Sequence, residues 1–241
     1  MEHVIRATGL TKTFHAIRAV DGIDLTIAAG ERVALLGPNG AGKTTTLFML
    51  LGVIAPDSGH VEITGLRLPE QRSRAMERVG FAAGYMPLAE RLRVREFLGL
   101  YGGLYGLKDP TERIDLGLER FGITHLANVM GNELSSGQRT LVGIIKATLH
   151  RPRLLVLDEP TASLDPDVAH RVRGGLQDVC EKEGTTLLVT SHNMVEVARL
   201  CDRVIFMSAG RIVADGTPSE VAGTFGQADL EDVFLHIAGT G

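Results

Sequence analysis

A glycine-rich segment with one lysine and two threonines has the residue types of a phosphate-binding loop. Gly37, Gly42, Lys43 and Thr44 fit the spacing G-x-x-x-x-G-K-[ST]. Glycines let the backbone turn its N–H groups toward phosphate oxygens. Lys43 can reach the β- and γ-phosphates of a nucleotide and the Thr44 hydroxyl can ligate Mg²⁺, so the sequence predicts Mg·ATP binding. The predicted loop consists of Gly37, Pro38, Asn39, Gly40, Ala41, Gly42, Lys43, Thr44 and Thr45.

Two adjacent acids follow another apolar run. The run extends from Leu154 to Leu157, and Asp158 and Glu159 come directly after it. The carboxyl end of such a strand faces the nucleotide crevice of an open α/β sheet. We expect Asp158 to hold Mg²⁺, directly or through a water, and Glu159 to polarise the attacking water as general base. Two solvated acids at a strand end are the alternative, which the phosphate loop disfavours.

The spacing of apolar residues predicts strands that alternate with helices. Val33 to Leu36 is a continuous apolar run, typical of a strand covered on both faces, and Thr44 to Leu51 suits a helix. This context favours a phosphate loop over a chance glycine turn. Residues 84–150 are predicted to form a mostly helical insertion. A strand pair around Ala209-Gly210 and a helix from Pro218 to Ile237 close the chain, so we expect a largely parallel sheet with helices on both faces.

The composition indicates a globular protein and excludes several kinds of partner. The chain has 241 residues, 44% of them hydrophobic, and a formal charge of -4. Without a basic block, the sequence gives no electrostatic case for nucleic acid. Cys180 and Cys201 lie in separate segments without metal-ligand spacing, and we expect reduced, partly buried thiols.

Neither a signal peptide nor a membrane span is expected from the sequence. The first six residues lack the charged and apolar regions of a signal peptide. The longest apolar run, Leu47 to Ala55, is far shorter than the ~20 residues that span a bilayer. We therefore expect a chain that is soluble by itself and reaches a membrane only through a partner.

The segment Leu134-Ser135-Ser136-Gly137-Gln138 begins another predicted helix. Ser135 is a good N-cap residue, and a helix N-terminus with a serine hydroxyl is also an anion site. Taken alone, the segment fits a simple helix cap better than an anion site.

Together these motifs resemble the nucleotide-binding subunit of ATP-binding cassette (ABC) transporters. Residues 134–138 resemble the family signature L-S-G-G-Q, with serine for the first glycine. Ser163-Leu164-Asp165 is similar to the D-loop, and Ser191-His192 to the switch histidine. Phe14 falls where the family places an aromatic ring against adenine. The phosphate loop and Leu157-Asp158-Glu159-Pro160 match the two nucleotide motifs, and all the motifs occur in the family's order.

The resemblance implies an α/β fold with a P-loop NTPase core. This fold has a mostly parallel sheet, an N-terminal antiparallel β lobe and a helical insertion subdomain. The expected arrangement is a single domain, residues 1–241, with the core lobe in 1–83 and 151–241 and the helical subdomain in 84–150.

The resemblance also implies that each ATP lies between two subunits, in a homodimer or a heterodimer with a second ABC subunit. Ser135 and the Gly137 amide, with Ser136 and Gln138 in the same segment, would contact a γ-phosphate held by Lys43 of another subunit. Asp165 would cross the same interface. The family role of His192 is to contact the γ-phosphate and hold the attacking water, with a structural histidine as the alternative. The alternative for Phe14 is a core position.

A membrane permease is the further partner that the resemblance implies, docking near residues 85–105 and holding the chain at the inner face of the cell membrane. Residues 101–107 and 230–235 resemble exporter subunits of the drug and polysaccharide type. The alternative is a soluble ABC ATPase in translation, DNA repair or cofactor assembly. One cassette without heptads or a CxxC pair disfavours that alternative.

One position departs from the family pattern. The family usually has a glutamine in the loop that enters the helical insertion, where it touches Mg²⁺ and the membrane partner. Aligning residues 93–96 with the family's T-V-R-E places Gly84 at that position, and residues 79–84 contain no glutamine. We expect a water to replace this amide at Mg²⁺, and partner contact to rely on Tyr85 to Leu100.

Overall fold

The computed structural model describes residues 2–83, 88–161 and 164–239. The strands in these ranges are β1 (His3–Phe14), β2 (Ile17–Ala28), β3 (Arg32–Leu36), β4 (Ser58–Ile63), β5 (Leu66–Leu68), β6 (Val79–Ala83), β7 (Leu154–Asp158), β8 (Thr186–Thr190), β9 (Arg203–Ser208) and β10 (Arg211–Gly216). The helices are α1 (Lys43–Leu50), α2 (Arg72–Met76), α3 (Val94–Leu104), α4 (Thr111–Arg120), α5 (Ser136–Thr148), α6 (Pro166–Glu183), α7 (Met194–Leu200), α8 (Pro218–Thr224) and α9 (Leu230–Gly239).

The central sheet has the strand order β10-β9-β3-β8-β7-β6. Neighbouring strands of this sheet pair in parallel, except for β10, which forms an antiparallel hairpin with β9. Alternate residues of β3 enter two different hydrophobic clusters: Ala34 and Leu36 lie in one, and Val33 and Leu35 lie in the other. Because strand side chains alternate between faces, the sheet separates two apolar layers. This explains the continuous apolar runs and confirms the predicted mostly parallel sheet.

An antiparallel sheet with the order β2-β1-β4-β5 covers one of these layers. In β2 the residues Ile23, Leu25 and Ile27 are buried, and the residues between them are exposed. The buried side chains pack in one cluster with β3 and with Leu47 of α1. The predicted antiparallel β lobe is therefore confirmed.

The other layer joins the sheet to α3, α4 and α5, within the predicted helical insertion. Leu98, Leu118 and Ile145, one from each helix, are fully buried and share a cluster with Leu155 of β7. The boundaries proposed at residues 84 and 150 stay predictions. In the part of the chain that the structure describes, no helix is long and apolar enough to cross a membrane.

The chain's last segment differs from the single helix predicted between Pro218 and Ile237. It forms α8 and α9, separated at Gly226, which has φ 63°. Asp229 begins the second helix, since its Oδ1 accepts hydrogen bonds from the backbone N–H groups of Glu231 and Asp232. A left-handed glycine and a new N-cap end one helix and start another, so the prediction of one continuous helix was wrong.

The cysteine thiols are both buried and unpaired. Burial raises the pKa of Cys180 to about 11 and that of Cys201 to about 12. Both groups are therefore protonated and poorly nucleophilic at neutral pH.

We predict that Gly80→Ala destabilises the fold where α5 crosses β6. A Cβ at this glycine would lie 2.1 Å from the carbonyl oxygen of Ala147, so backbone must move. The expected loss in the free energy of unfolding is about 1–3 kcal/mol, measured by urea denaturation.

The control is Gly143→Ala in α5, where a Cβ would meet open space. This change should stabilise the protein by about 0.5–1 kcal/mol, because alanine loses less entropy in a helix. Similar unfolding midpoints for the two variants would contradict the predicted close packing.

Candidate nucleotide-binding site

The glycine loop lies between the end of β3 and the start of α1. Gly37 has φ 145° and Gly42 has φ 99°. A Cβ at Gly37 would lie 2.2 Å from the carbonyl oxygen of Met207, and one at Gly42 would lie 2.3 Å from that of Ala19. Both positions require glycine because the loop is pressed against neighbouring backbone.

Lys43 is the first residue of α1 and its ammonium group lies inside the curl of the loop. Nζ donates to the carbonyl oxygens of Gly37 at 2.6 Å and Pro38 at 3.0 Å. Burial lowers the pKa of Lys43, and the charges of Glu159 and Asp158 oppose that shift. The loop thus holds a cation beside the start of a helix, where an anion such as phosphate is favoured.

The hydroxyl of Thr190 joins the two acids that follow β7. Its Oγ1 donates to Oδ1 of Asp158 at 2.6 Å and accepts from the backbone N–H of Glu159 at 3.0 Å. Thr190 ends β8, beside β7, and is only 1% exposed. It fixes both acids at one edge of the sheet. We did not predict a role for Thr190, although a polar residue at the end of an apolar strand can indicate a functional position.

Glu159 and His192 form the next contact of the site. His192 Nε2 lies 3.1 Å from Glu159 Oε1, and the His192 backbone N–H donates to Oε2 at 3.2 Å. Burial raises the pKa of Glu159, opposed chiefly by the charge of His192. A raised pKa brings this carboxyl group closer to the working range of a general base. The backbone of Glu159 has φ 52°, a strained conformation of the kind that clusters at active sites.

The lysine, the two acids and the histidine described above share one cleft of about 380 Å³. Its walls include two residues that we did not predict, Ile17 and Ala19 at the start of β2. Phe14 pairs with Ile17 across the β1–β2 hairpin but does not line the cleft. Its role at adenine stays a prediction. The predicted residues lining the cleft are Asn39, Gly40, Ala41, Gly42, Lys43, Thr44, Thr45, Asp158, Glu159 and His192.

The predicted signature residues lie outside this cleft. Ser135 caps α5: its Oγ accepts from the N–H of Gln138 at 3.2 Å, and the Gln138 side chain accepts from the Ser135 N–H at 2.9 Å. Ser136 is the first residue of the helix. A Cβ at Gly137 would lie 3.3 Å from a methyl group of Leu164. The helix start therefore abuts the segment that leads into α6.

Asp165 is the N-cap residue of α6, directly after Leu164. The chain thus presents its predicted site residues as two separate groups, one in the cleft and one at the starts of α5 and α6. Gly84 and Ser163 lie outside the described residues.

Comparison with known proteins identifies the family. A family model described as ABC transporter matches residues 20–162, more than half of the chain. This chain belongs to the ABC transporter family. Family membership confirms the fold predicted from the sequence. It also confirms the predicted ATP binding, because the family's ATP-binding subunits hydrolyse ATP to drive transport.

Two curated relatives of this ABC protein are named for export, and a third is named for multidrug transport. The Nod factor export ATP-binding protein I of Paraburkholderia xenovorans is 35% identical over 97% of this chain and 77% of that protein. The lipopolysaccharide export system ATP-binding protein LptB of Haemophilus influenzae is 35% identical, over 90% and 92%. The probable multidrug ABC transporter ATP-binding protein YbhF of Escherichia coli is 36% identical over 91% of this chain, which spans 38% of that relative.

Solved structures of ABC proteins have the same fold. An ATP-binding subunit of an ABC transporter superposes with a TM-score of 0.88 at 28% identity, covering 98% of this chain and 99% of that one. CbiO1 of Clostridium perfringens, part of the ABC transporter complex CbiONQ, has a TM-score of 0.81 at 28% identity and covers 92% of both chains.

The cleft of this ABC protein has donors that suit Mg²⁺. Thr44 and Asp158 both line it and supply oxygen atoms, the ligand type that Mg²⁺ prefers. Mg²⁺ takes few protein ligands and completes its octahedron with phosphate and water oxygens. Among the residues described, no group of three or more His, Cys, Asp or Glu side chains could hold a metal ion.

We predict that Thr190→Val lowers ATP turnover by about tenfold or more. The variant keeps the side-chain shape but removes the hydroxyl that donates to Asp158 Oδ1, and it leaves the Glu159 N–H only its 3.2 Å bond to the Thr190 carbonyl oxygen. Displacing catalytic groups by 1 Å can cost about 10²-fold in rate. Turnover is measured as phosphate release, and stability by thermal unfolding.

The control is Thr186→Val in the same strand. Thr186 is equally buried, and its Oγ1 accepts from the backbone N–H of Gly30 at 2.9 Å, away from the acids. Each variant should lose about 1–3 kcal/mol of stability, but only Thr190→Val should slow turnover. Equal turnover losses would mean that Thr190 acts through stability alone.

Proposed function

We propose that this chain is the ATP-hydrolysing subunit of an ABC exporter, closing with a second subunit on two ATP molecules. The supporting observation is the separation of its two groups of site residues. Lys43, Asp158 and Glu159 line one cleft, whereas Ser135 and Asp165 lie at helix starts outside it. One chain therefore offers half of each site, and a second copy or a related subunit supplies the other half.

Each group in the cleft has a distinct task in phosphoryl transfer. The loop amides and Lys43 bind the β- and γ-phosphates and offset the charge that develops on the transferring group. Thr44 and Asp158 would hold Mg²⁺, which would offset phosphate charge when bound. Glu159 accepts a proton from the attacking water, and His192 keeps that water and the γ-phosphate in place. Ser135 and the Gly137 amide of the second subunit bind the same phosphate, and Asp165 crosses the interface between the subunits.

The membrane partner in this proposal is a separate permease that docks near residues 85–105. Of this segment, residues 88–105 are described, and α3 exposes two leucines on one face. Leu100 is 53% exposed and Leu104 is 70% exposed, four positions apart along the helix. Exposed apolar side chains at this spacing suit a helical partner. Such docking places the chain at the inner face of the membrane, with closure and opening of the two subunits moving the permease.

Export is the direction that the relatives favour. Two of the curated relatives are named for Nod factor and lipopolysaccharide export, and a third is named for multidrug transport. These cargoes differ widely, so a shared ATP-binding subunit design fits recognition of cargo by the permease.

We predict that Glu159→Gln binds ATP but hydrolyses it at least about 10²-fold more slowly. The amide keeps the size of the carboxylate but cannot accept the proton of the attacking water. ATP binding is followed with a fluorescent analogue, hydrolysis by phosphate release, and dimer trapping by size-exclusion chromatography with ATP.

Glu231→Gln is the control, because Glu231 lines an adjacent cleft that Glu159 also borders. This variant should hydrolyse ATP at the rate of the unmodified protein. Continued hydrolysis by Glu159→Gln would remove Glu159 from the role of general base.

We predict that two inactive variants, Lys43→Ala and Ser135→Ala, regain hydrolysis when mixed. In a mixed dimer, the Ser135→Ala chain supplies an intact phosphate loop and the Lys43→Ala chain supplies an intact signature. One of the two sites is then complete. Phosphate release from the mixture should exceed the sum of the separate variants, up to about one quarter of the normal rate for random pairing and independent sites.

This mixing experiment tests whether two copies of the chain share a site. A mixture no more active than its components would contradict a site shared between two copies. Ser135→Ala also removes a helix cap worth about 1 kcal/mol, so its thermal unfolding is measured alongside to show that the chain remains folded.

A further inference from the structure

The imidazole of His192 lies between two clefts. One is the nucleotide cleft, and the other, of about 690 Å³, is lined in part by Glu159, Leu164 and Phe234. The His192 side chain is 45% exposed, so burial alone does not fix its orientation. The imidazole could therefore turn away from Glu159 into the second cleft if no neighbour bordered it on that side.

Phe234 borders His192 on the side of the second cleft. The two ring centroids are 6.2 Å apart and the planes meet at 86°, the edge-to-face arrangement that aromatic pairs favour. Elsewhere the imidazole contacts Glu159, through Nε2 at 3.1 Å. The ring of His192 is therefore held between a carboxylate and an aromatic neighbour.

The position of Phe234 is itself fixed by the core. It lies on α9, whose Val233 and Ile237 are buried in the same cluster as the central sheet. Its ring also packs against Phe206, with centroids 6.4 Å apart and an angle of 55°. Phe206 is fully buried on β9 and pairs with Leu36, the last residue before the phosphate loop. Phe234 thus has a rigid support tied to the strand that carries the loop.

We propose that Phe234 is a positioning residue that keeps the His192 imidazole at Glu159. Its ring occupies the side toward which the imidazole would otherwise turn, so the productive orientation is the populated one. The inference rests on the proposed ATPase function, in which His192 holds the attacking water for Glu159. It assigns to α9, which lies outside the matched family region, an indirect part in hydrolysis.

The test uses Phe234→Leu in the full chain. The kcat for ATP should fall about threefold to tenfold, which corresponds to the loss of one aromatic pair. The KM for ATP should stay unchanged, because Phe234 does not line the nucleotide cleft.

Phe234→Tyr keeps the ring and should restore normal kcat. Phe225→Leu is the matched control: Phe225 is also half-buried, but its ring lies 5.9 Å from His236. It should leave kcat unchanged.

A double-variant comparison separates positioning from stability. In a His192→Ala background, Phe234→Leu should cause no further loss of kcat, because there is no imidazole to position. The same fold loss in both backgrounds would overturn the proposal, and so would an equal loss in Phe225→Leu.

The NMR signal of the His192 imidazole Cε1–H, identified by its loss in His192→Ala, tests the contact without hydrolysis. Phe234→Leu should shift it and Phe225→Leu should not, and an unmoved signal would overturn the contact. An inactive chain with a shifted signal would contradict the proposed ATPase function while supporting the Phe234–His192 contact.

Discussion

The site depends on one row of backbone pairing at the carboxyl edge of the central sheet. In this row Thr190 pairs with Leu35 on one side and Asp158 on the other. Leu35 lies two residues before Gly37, so the row brings the phosphate loop, the hydroxyl and the acids to one level. A slip of one residue between β7 and β8 would turn Thr190 and Asp158 to opposite faces. The strand register therefore sets the distances on which phosphate binding and water activation depend.

The elements of this row that are local in sequence were predictable, and those that depend on pairing were not. The phosphate loop and the Asp158-Glu159 pair each follow an apolar run, and a run of four buried residues marks its strand without knowledge of its neighbours. Thr190, Ile17 and Phe234 act through residues distant in sequence. Their roles follow from strand order and helix placement, which hydrophobic spacing does not encode. The break between α8 and α9 was missed because one glycine, rather than a change in periodicity, ends the helix.

The site keeps unfavourable local features that the surrounding packing maintains. Glu159 is held at a positive φ and buried enough to raise its pKa, while Lys43 is buried enough to lower its own. Each of these costs stability, of order 1–3 kcal/mol for the strained backbone alone. The buried apolar residues of β3, β7 and β8 supply hydrophobic burial that offsets such costs. An attacking water would thus meet a carboxylate that the His192 backbone N–H already holds in place before nucleotide binds.

Ser135 can be both a helix cap and a phosphate ligand, because the two roles use different parts of its hydroxyl group. A serine hydroxyl has one donor hydrogen and two acceptor lone pairs. Capping the Gln138 N–H uses one lone pair, which leaves the hydrogen free to be donated to a phosphate oxygen. The Gln138 side chain in turn binds the Ser135 N–H, so the capping box fixes the direction of the hydroxyl before any phosphate approaches.

The serine at 136, where the family usually has glycine, lies in the first turn of a regular helix, a conformation open to residues with a side chain. Gly137 is the position where space is limited, since a Cβ there would press on Leu164 and Val168. The part of the signature that must stay small is therefore the glycine that this sequence retains.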